Sequence, residues 1–186
     1  MEMTKKEAKE QYLKMQLSDP NTSEWEKERI RQRFGIFMSA TESDFTNKRG
    51  NELFEFVSRY LNSHLTRIRQ QKRTNSPFEF LSENLKLIYH LNFYSDHFED
   101  DTLEQIYDTP SEEDYNYLSR GFEKIGRPNE ALLTKSILKK KTITEKEIKK
   151  LQDHFWDSDT IVQEIDTAIE KFIISNIAEL VQLQIK

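Results

Sequence analysis

Residues 50–71 read GNELFEFVSRYLNSHLTRIRQQ, and the spacing of their apolar side chains decides the fold class. Leu53, Val57, Tyr60, Leu61, His64, Leu65 and Ile68 recur at steps of three and four, which gathers them on one face of a helix. A half-buried strand would alternate every second residue, and no stretch of the chain does so over a useful length. The helical period continues on both sides. Ser76-Pro77-Phe78-Glu79 combines an N-cap, a proline at the first helical position and a box glutamate ahead of Leu81, Leu85, Ile88 and Leu91, predicting a helix over 78–97. Pro110-Ser111 followed by Glu112, Glu113 and Asp114 opens another over 111–125, its acids beside the positive end of the helix dipole. Gly126 ends that helix and Pro128 begins the next, over 129–140. Ser23 with Glu26 forms a capping box that opens a helix near 24–38, and Thr144 with Glu147 caps a short helix carrying Ile148, Leu151 and Phe155. Ile161, Ile165, Ala168, Ile169, Phe172, Ile173, Ile177 and Leu180 form the longest stripe, read as one helix over 158–182.

Composition agrees. Four Gly and four Pro in 186 residues, with three Val against 17 Leu and 16 Ile, leave too few turn and β-branched residues for a sandwich or barrel. The expectation is an all-α protein of seven to nine helices. Residues 1–49 hold only seven of the 48 Leu, Ile, Val and Phe, so the core is expected from 50–186. The first 49 residues are expected to be polar helical arms lying on that core or on a partner.

Several functions are excluded or disfavoured by residue type. The chain has no Cys, which removes disulfides, thiol catalysis and thiolate metal sites. No apolar run approaches a membrane span, and Met1–Gln16 alternates in charge without a signal-peptide core, so a soluble cytoplasmic protein is expected. His90 and His97, with Asp100 and Asp101 nearby, lack the i, i+4 spacing and the third ligand of a helical zinc site. His64 and His90 are read as packed core residues. There is no GxSxG, no Walker pattern and no glycine-rich phosphate loop, so neither an enzyme nor a cofactor is expected.

Charge carries the functional signal. The net charge is −5, yet residues 81–118 carry −9 and residues 119–150 carry +6. Between 96 and 114 stand Asp96, Glu99, Asp100, Asp101, Glu104, Asp108, Glu112, Glu113 and Asp114, and not one Lys or Arg. A solvated face is the ordinary reading of such a run. Unopposed negative charge also repels itself and attracts basic partners, and carboxylates one helical turn apart are spaced by about 5.4 Å, a crude copy of a phosphate row. Two basic clusters, Arg67, Arg69, Lys72, Arg73 and Lys139, Lys140, Lys141, Lys146, Lys149, Lys150, raise direct nucleic-acid binding. Basic residues complement helix C-termini, and the chain as a whole is acidic, so that role is disfavoured.

The same region carries a resemblance. Leu103-Glu104-Gln105-Ile106-Tyr107-Asp108, a helix closing in Phe122-Glu123-Lys124-Ile125-Gly126, and Asn129-Glu130-Ala131-Leu132-Leu133 resemble the bacterial DNA-mimic protein family. The tail, Leu151-Gln152-Asp153-His154-Phe155 leading to Ala168-Ile169 and Phe172-Ile173, is similar to its closing helices. The resemblance covers about residues 52–180. It implies an all-helical fold and binding to DNA-binding proteins by imitating the charge of duplex DNA. The chain departs from the family where Asp100-Asp101-Thr102 replaces the usual Asn-Gly-Gly, and in the basic segment that follows the acidic one. The functional expectation is a non-catalytic module whose acidic surface, the nine residues from Asp96 to Asp114, binds a basic protein such as a DNA-binding protein. The alternatives are an immunity or antitoxin-type inhibitor of a basic partner and a helical scaffold protein. Homodimerisation is left open.

Overall fold

The computed structural model describes residues 5–92, 112–138, 153–154 and 159–183. Among them are nine α-helices and no strand: α1 Lys5–Ser18, α2 Glu24–Arg33, α3 Glu42–Thr46, α4 Gly50–Lys72, α5 Glu83–Asn92, α6 Glu112–Lys124, α7 Pro128–Leu138, α8 Asp159–Ser175 and α9 Ile177–Gln182. A 3₁₀ turn, Pro77–Phe80, lies between α4 and α5. The fold is all-α, as the apolar spacing predicts.

Helix α4 is the central element. Its stripe of Leu53, Val57, Tyr60, Leu61, His64 and Leu65 is buried as expected. It packs against α2, α3, α5, α8 and the 3₁₀ turn, and α5 in turn packs against α6 and α8. Long-range bonds fasten the end of the chain to it. The Tyr60 hydroxyl donates to the Leu180 carbonyl at 2.9 Å, and the Gly50 amide donates to the Glu170 carboxylate at 2.9 Å. Two residues of the N-terminal part join the same core: Ala40 is buried, and Phe45, wholly buried, meets the Phe56 and Tyr60 rings edge-on at 5.1 and 5.3 Å.

Three predicted helices are shorter or broken. The expected helix over 24–38 stops at Arg33. Gly35 takes φ +75°, the Gly35 amide donates to the Gln32 carbonyl and the Ile36 amide to the Arg31 carbonyl, which is the Schellman arrangement that terminates a helix. Gly126, at φ +77°, ends α6 in the same way. The expected helix over 78–97 starts later, because Leu81 is extended (φ −83°, ψ 148°) and the Ser82 hydroxyl accepts from the Leu85 amide, so Ser82 caps α5 and Ser76 caps nothing. The expected helix over 158–182 breaks at Asn176. That residue's side chain donates to the Phe172 carbonyl and accepts from Asn84, a local alternative to the helical ladder. The predicted helix opened by Thr144 and the parts beyond Asn92 and Leu138 lie outside the described residues.

Helices α5 and α6 approach closely at Gly121. A Cβ there would stand 2.7 Å from Cγ of the fully buried Leu91, so only glycine permits this contact. The Asn92 side chain then closes the end of α5, donating to the Phe54 carbonyl at 2.9 Å and the Ser58 hydroxyl at 2.5 Å.

Candidate functional site

Of the nine predicted partner-binding residues, Glu112, Glu113 and Asp114 form the first turn of α6, where negative charge meets the positive end of the helix dipole. Glu113 is exposed. Asp96, Glu99, Asp100, Asp101, Glu104 and Asp108 lie outside the described residues, as do His97 and Lys139, Lys140, Lys141, Lys146, Lys149 and Lys150. The acidic stretch is therefore framed by two helices, α5 and α6, that pack directly on one another at Leu91 and Gly121.

Elsewhere, carboxylates find cations within the molecule. Arg120 pairs with Glu83 at 2.5 Å, Arg49 with Glu170 at 3.3 Å, Lys48 with Glu52 at 2.9 Å, and Lys135 with Glu123. Such surface pairs add little stability, but they neutralise the local field. A more enclosed network joins α7 to α8. Glu130 is buried, 2.8 Å from Arg127 and 3.2 Å from His154 Nε2, while Arg127 reaches Glu164 at 2.6 Å. Burial pushes the Glu130 carboxyl upward. Hydrogen bonds from Arg127, its own backbone and His154 outweigh that and hold it below the usual carboxylate range.

The predicted basic cluster at the end of α4 separates into different roles. The Arg67 guanidinium donates to the Leu183 carbonyl and so fastens the chain's last helix. Lys72 lies over the Phe80 ring at 5.9 Å, and Arg73 caps α4 in a left-handed conformation (φ 50°). Arg69 turns to a cavity.

That cavity, of about 480 Å³, lies between the last turns of α4, the 3₁₀ turn, α5 and α6. Sequence reasoning misses it, because its lining comes from four elements with no local motif. Phe78, Tyr89, His90 and Tyr117 line it and form a continuous chain of rings. Phe78 meets Tyr89 edge-on at 4.6 Å and His90 at 5.5 Å, and His90 stacks parallel to Tyr117 at 5.1 Å. Arg69, Lys86, Glu79 and Glu113 bring charges of both signs. His64 and His90 are buried, as expected of packed histidines. The sequence spacing of phenylalanine, tyrosine and histidine around 78–90 is the one trace of this wall that the chain carries.

No family model, curated protein or solved structure matches the chain. Among the described residues no group of three or more His, Asp or Glu is placed to hold a metal ion, and no helix is long and apolar enough to cross a membrane.

Proposed function

We propose that this chain is a non-catalytic binding protein that engages a basic partner through the acidic stretch from Asp96 to Asp114, imitating the charge of duplex DNA. One observation carries the reading. Nineteen residues hold nine carboxylates and no Lys or Arg, a charge of −9 in a chain whose total is −5, which leaves +4 for everything else. Charge concentrated in this way costs self-repulsion and is repaid by a basic surface that it attracts at long range. The two described helices on either side of it in the sequence, α5 and α6, pack on one another. Several carboxylates of the described body, by contrast, pair with neighbouring cations: Glu52 with Lys48, Glu83 with Arg120, Glu123 with Lys135 and Glu170 with Arg49.

The test is a triple charge reversal, Asp100→Lys, Asp101→Lys and Glu104→Lys, in affinity capture from the native cell extract. The parent chain should hold a basic protein that elutes with salt and is displaced by an added DNA duplex. The reversed chain should lose that partner and the salt dependence of capture, while its circular dichroism and thermal melting match those of the parent. An identical capture profile for both chains refutes the proposal. Neutralising Lys139, Lys140 and Lys141 tests direct nucleic-acid binding instead, and should leave capture intact.

A further inference from the structure

We infer that the cavity between α4, the 3₁₀ turn, α5 and α6 is a small-molecule site for a planar heteroaromatic ligand carrying an anionic group, a nucleoside monophosphate being the type. The inference is independent of the acidic stretch as a docking surface, although Glu113 belongs to both.

Size comes first. About 480 Å³ lies within the range of roughly 300–1,000 Å³ usual for ligand sites. The floor is firm, since Leu65, Pro77 and His90 are buried. The wall is the ring chain from Phe78 through Tyr89 and His90 to Tyr117, each ring held by its neighbour at 4.6–5.5 Å. Tyr89 stands nearly perpendicular to Phe78 and His90, so the wall presents ring edges and faces together, against which a planar ligand ring packs edge-to-face or stacked.

The charges are the second observation. Arg69 and Lys86 line the same space as Glu79 and Glu113, yet none of the four forms an ion pair with another described residue. The contrast is local, because Arg120 and Glu83, on the same two helices as Glu113 and Lys86, do pair at 2.5 Å. Lys86 instead sits over the Tyr117 ring at 5.7 Å, which places its ammonium beside the aromatic wall. Two cations that line one cavity without an ion pair to another described residue suit a phosphate or carboxylate, with the guanidinium of Arg69 offering two parallel donors. Two carboxylates suit amino and hydroxyl donors on the same ligand, and the amides of Asn62 and Asn75 complete a lining that reads both donors and acceptors.

Other ligand classes use only part of this. A bare anion leaves the ring wall unused. An apolar compound would strip water from four charges without replacing it. An aliphatic metabolite gains nothing from the rings. A nucleoside monophosphate uses all three features: ring on wall, phosphate on Arg69 and Lys86, exocyclic and ribose donors on Glu79, Glu113 and the amides.

Calorimetric titration of the full chain with adenosine and guanosine monophosphates tests the assignment, with the matching nucleosides, inorganic phosphate and a short single-stranded oligonucleotide as comparison arms. At least one monophosphate should bind saturably at one per chain, with a Kd of about 1 mM or tighter, and its nucleoside and phosphate alone should each bind at least about 10-fold more weakly. Arg69→Met and Lys86→Met should each weaken the monophosphate about 10-fold and leave the nucleoside unaffected, and Tyr89→Leu should weaken both. Circular dichroism and thermal melting identify any variant that loses its fold. Arg69 is exposed, so its variant should melt like the parent. The triple reversal of Asp100, Asp101 and Glu104 should bind the monophosphate normally. The inference is overturned by any of three results: no saturable binding of either monophosphate, binding indifferent to Arg69 and Lys86, or an oligonucleotide that binds through these residues more tightly than the monophosphate.

Discussion

Acid should unfold this protein partly through one residue, His64. Its ring is fully buried beside Tyr60, with centroids 4.5 Å apart, and apart from a backbone contact with Met38, which favours the charged form, its nitrogens lack hydrogen-bond partners. Burial, with Arg67 close by, lowers its pKa from 6.5 to about 4. Between those two values the unfolded chain binds a proton that the folded chain refuses, so stability rises with pH across the window. The contribution is complete above about pH 6.5 and is lost as pH falls through about 4. That gap corresponds to about 3 kcal/mol, most of it spent between pH 7 and 4.5. Urea unfolding at both pH values measures it, with His64→Leu as the control. The variant keeps the volume roughly and removes two buried ring nitrogens, so at pH 7 it should be at least as stable as the parent, by about 1 kcal/mol. Carboxylates protonate in both chains over the same window, and the comparison cancels them. The parent should therefore lose about 2–3 kcal/mol more than the variant on acidification. Parallel losses in the two chains would refute the reasoning and show that His64 takes up its proton in the folded state.

Other perturbations have equally definite outcomes. Gly121→Val should cost about 2 kcal/mol by urea unfolding, because its Cβ would enter the space of the fully buried Leu91 side chain and either that side chain or the two helices would have to shift. Arg127→Leu should cost about 3 kcal/mol at pH 7 by leaving Glu130 buried opposite His154 alone, and the deficit should shrink toward pH 5 as the orphaned carboxyl takes up a proton. Ile165→Asp should leave no cooperative thermal transition, since an unpaired charge would enter a site with no exposure.

Legibility in the sequence followed the range of the interactions involved. The α4 stripe could be read because burial on one face imposes a period of 3.6 along the chain itself, and Ser23, Glu26 and Gly126 act within a few residues of their own positions. The interruptions were less legible. Asn176 looks like any polar residue on a long stripe until Asn84, which also donates to Glu179, comes to meet it from 92 residues away. Leu81 fits the apolar period of its neighbours, and only the cap supplied by Ser82 reveals that the helix begins after it. The cavity was invisible for the same reason. Its rings stand at 78, 89, 90 and 117, and nothing local requires Tyr117 to stack on His90. The acidic stretch was conspicuous because charge, unlike packing, is additive along the chain.

The bonds that seat α8 and α9 on α4 also set an order of events during synthesis. Gly50 waits for Glu170, and Tyr60 for Leu180, each 120 residues later. At about 5–20 residues per second, a ribosome needs about 6–24 s to make that interval. Throughout it, α4 has been made and the two helices that bond to its first residue and its middle have not. What is available earlier is Phe45, already emerged and able to lie across Phe56 and Tyr60. The short helix α3 precedes α8 and α9 in the chain, so the ring contacts of Phe45 on α4 do not depend on the two final helices having been made.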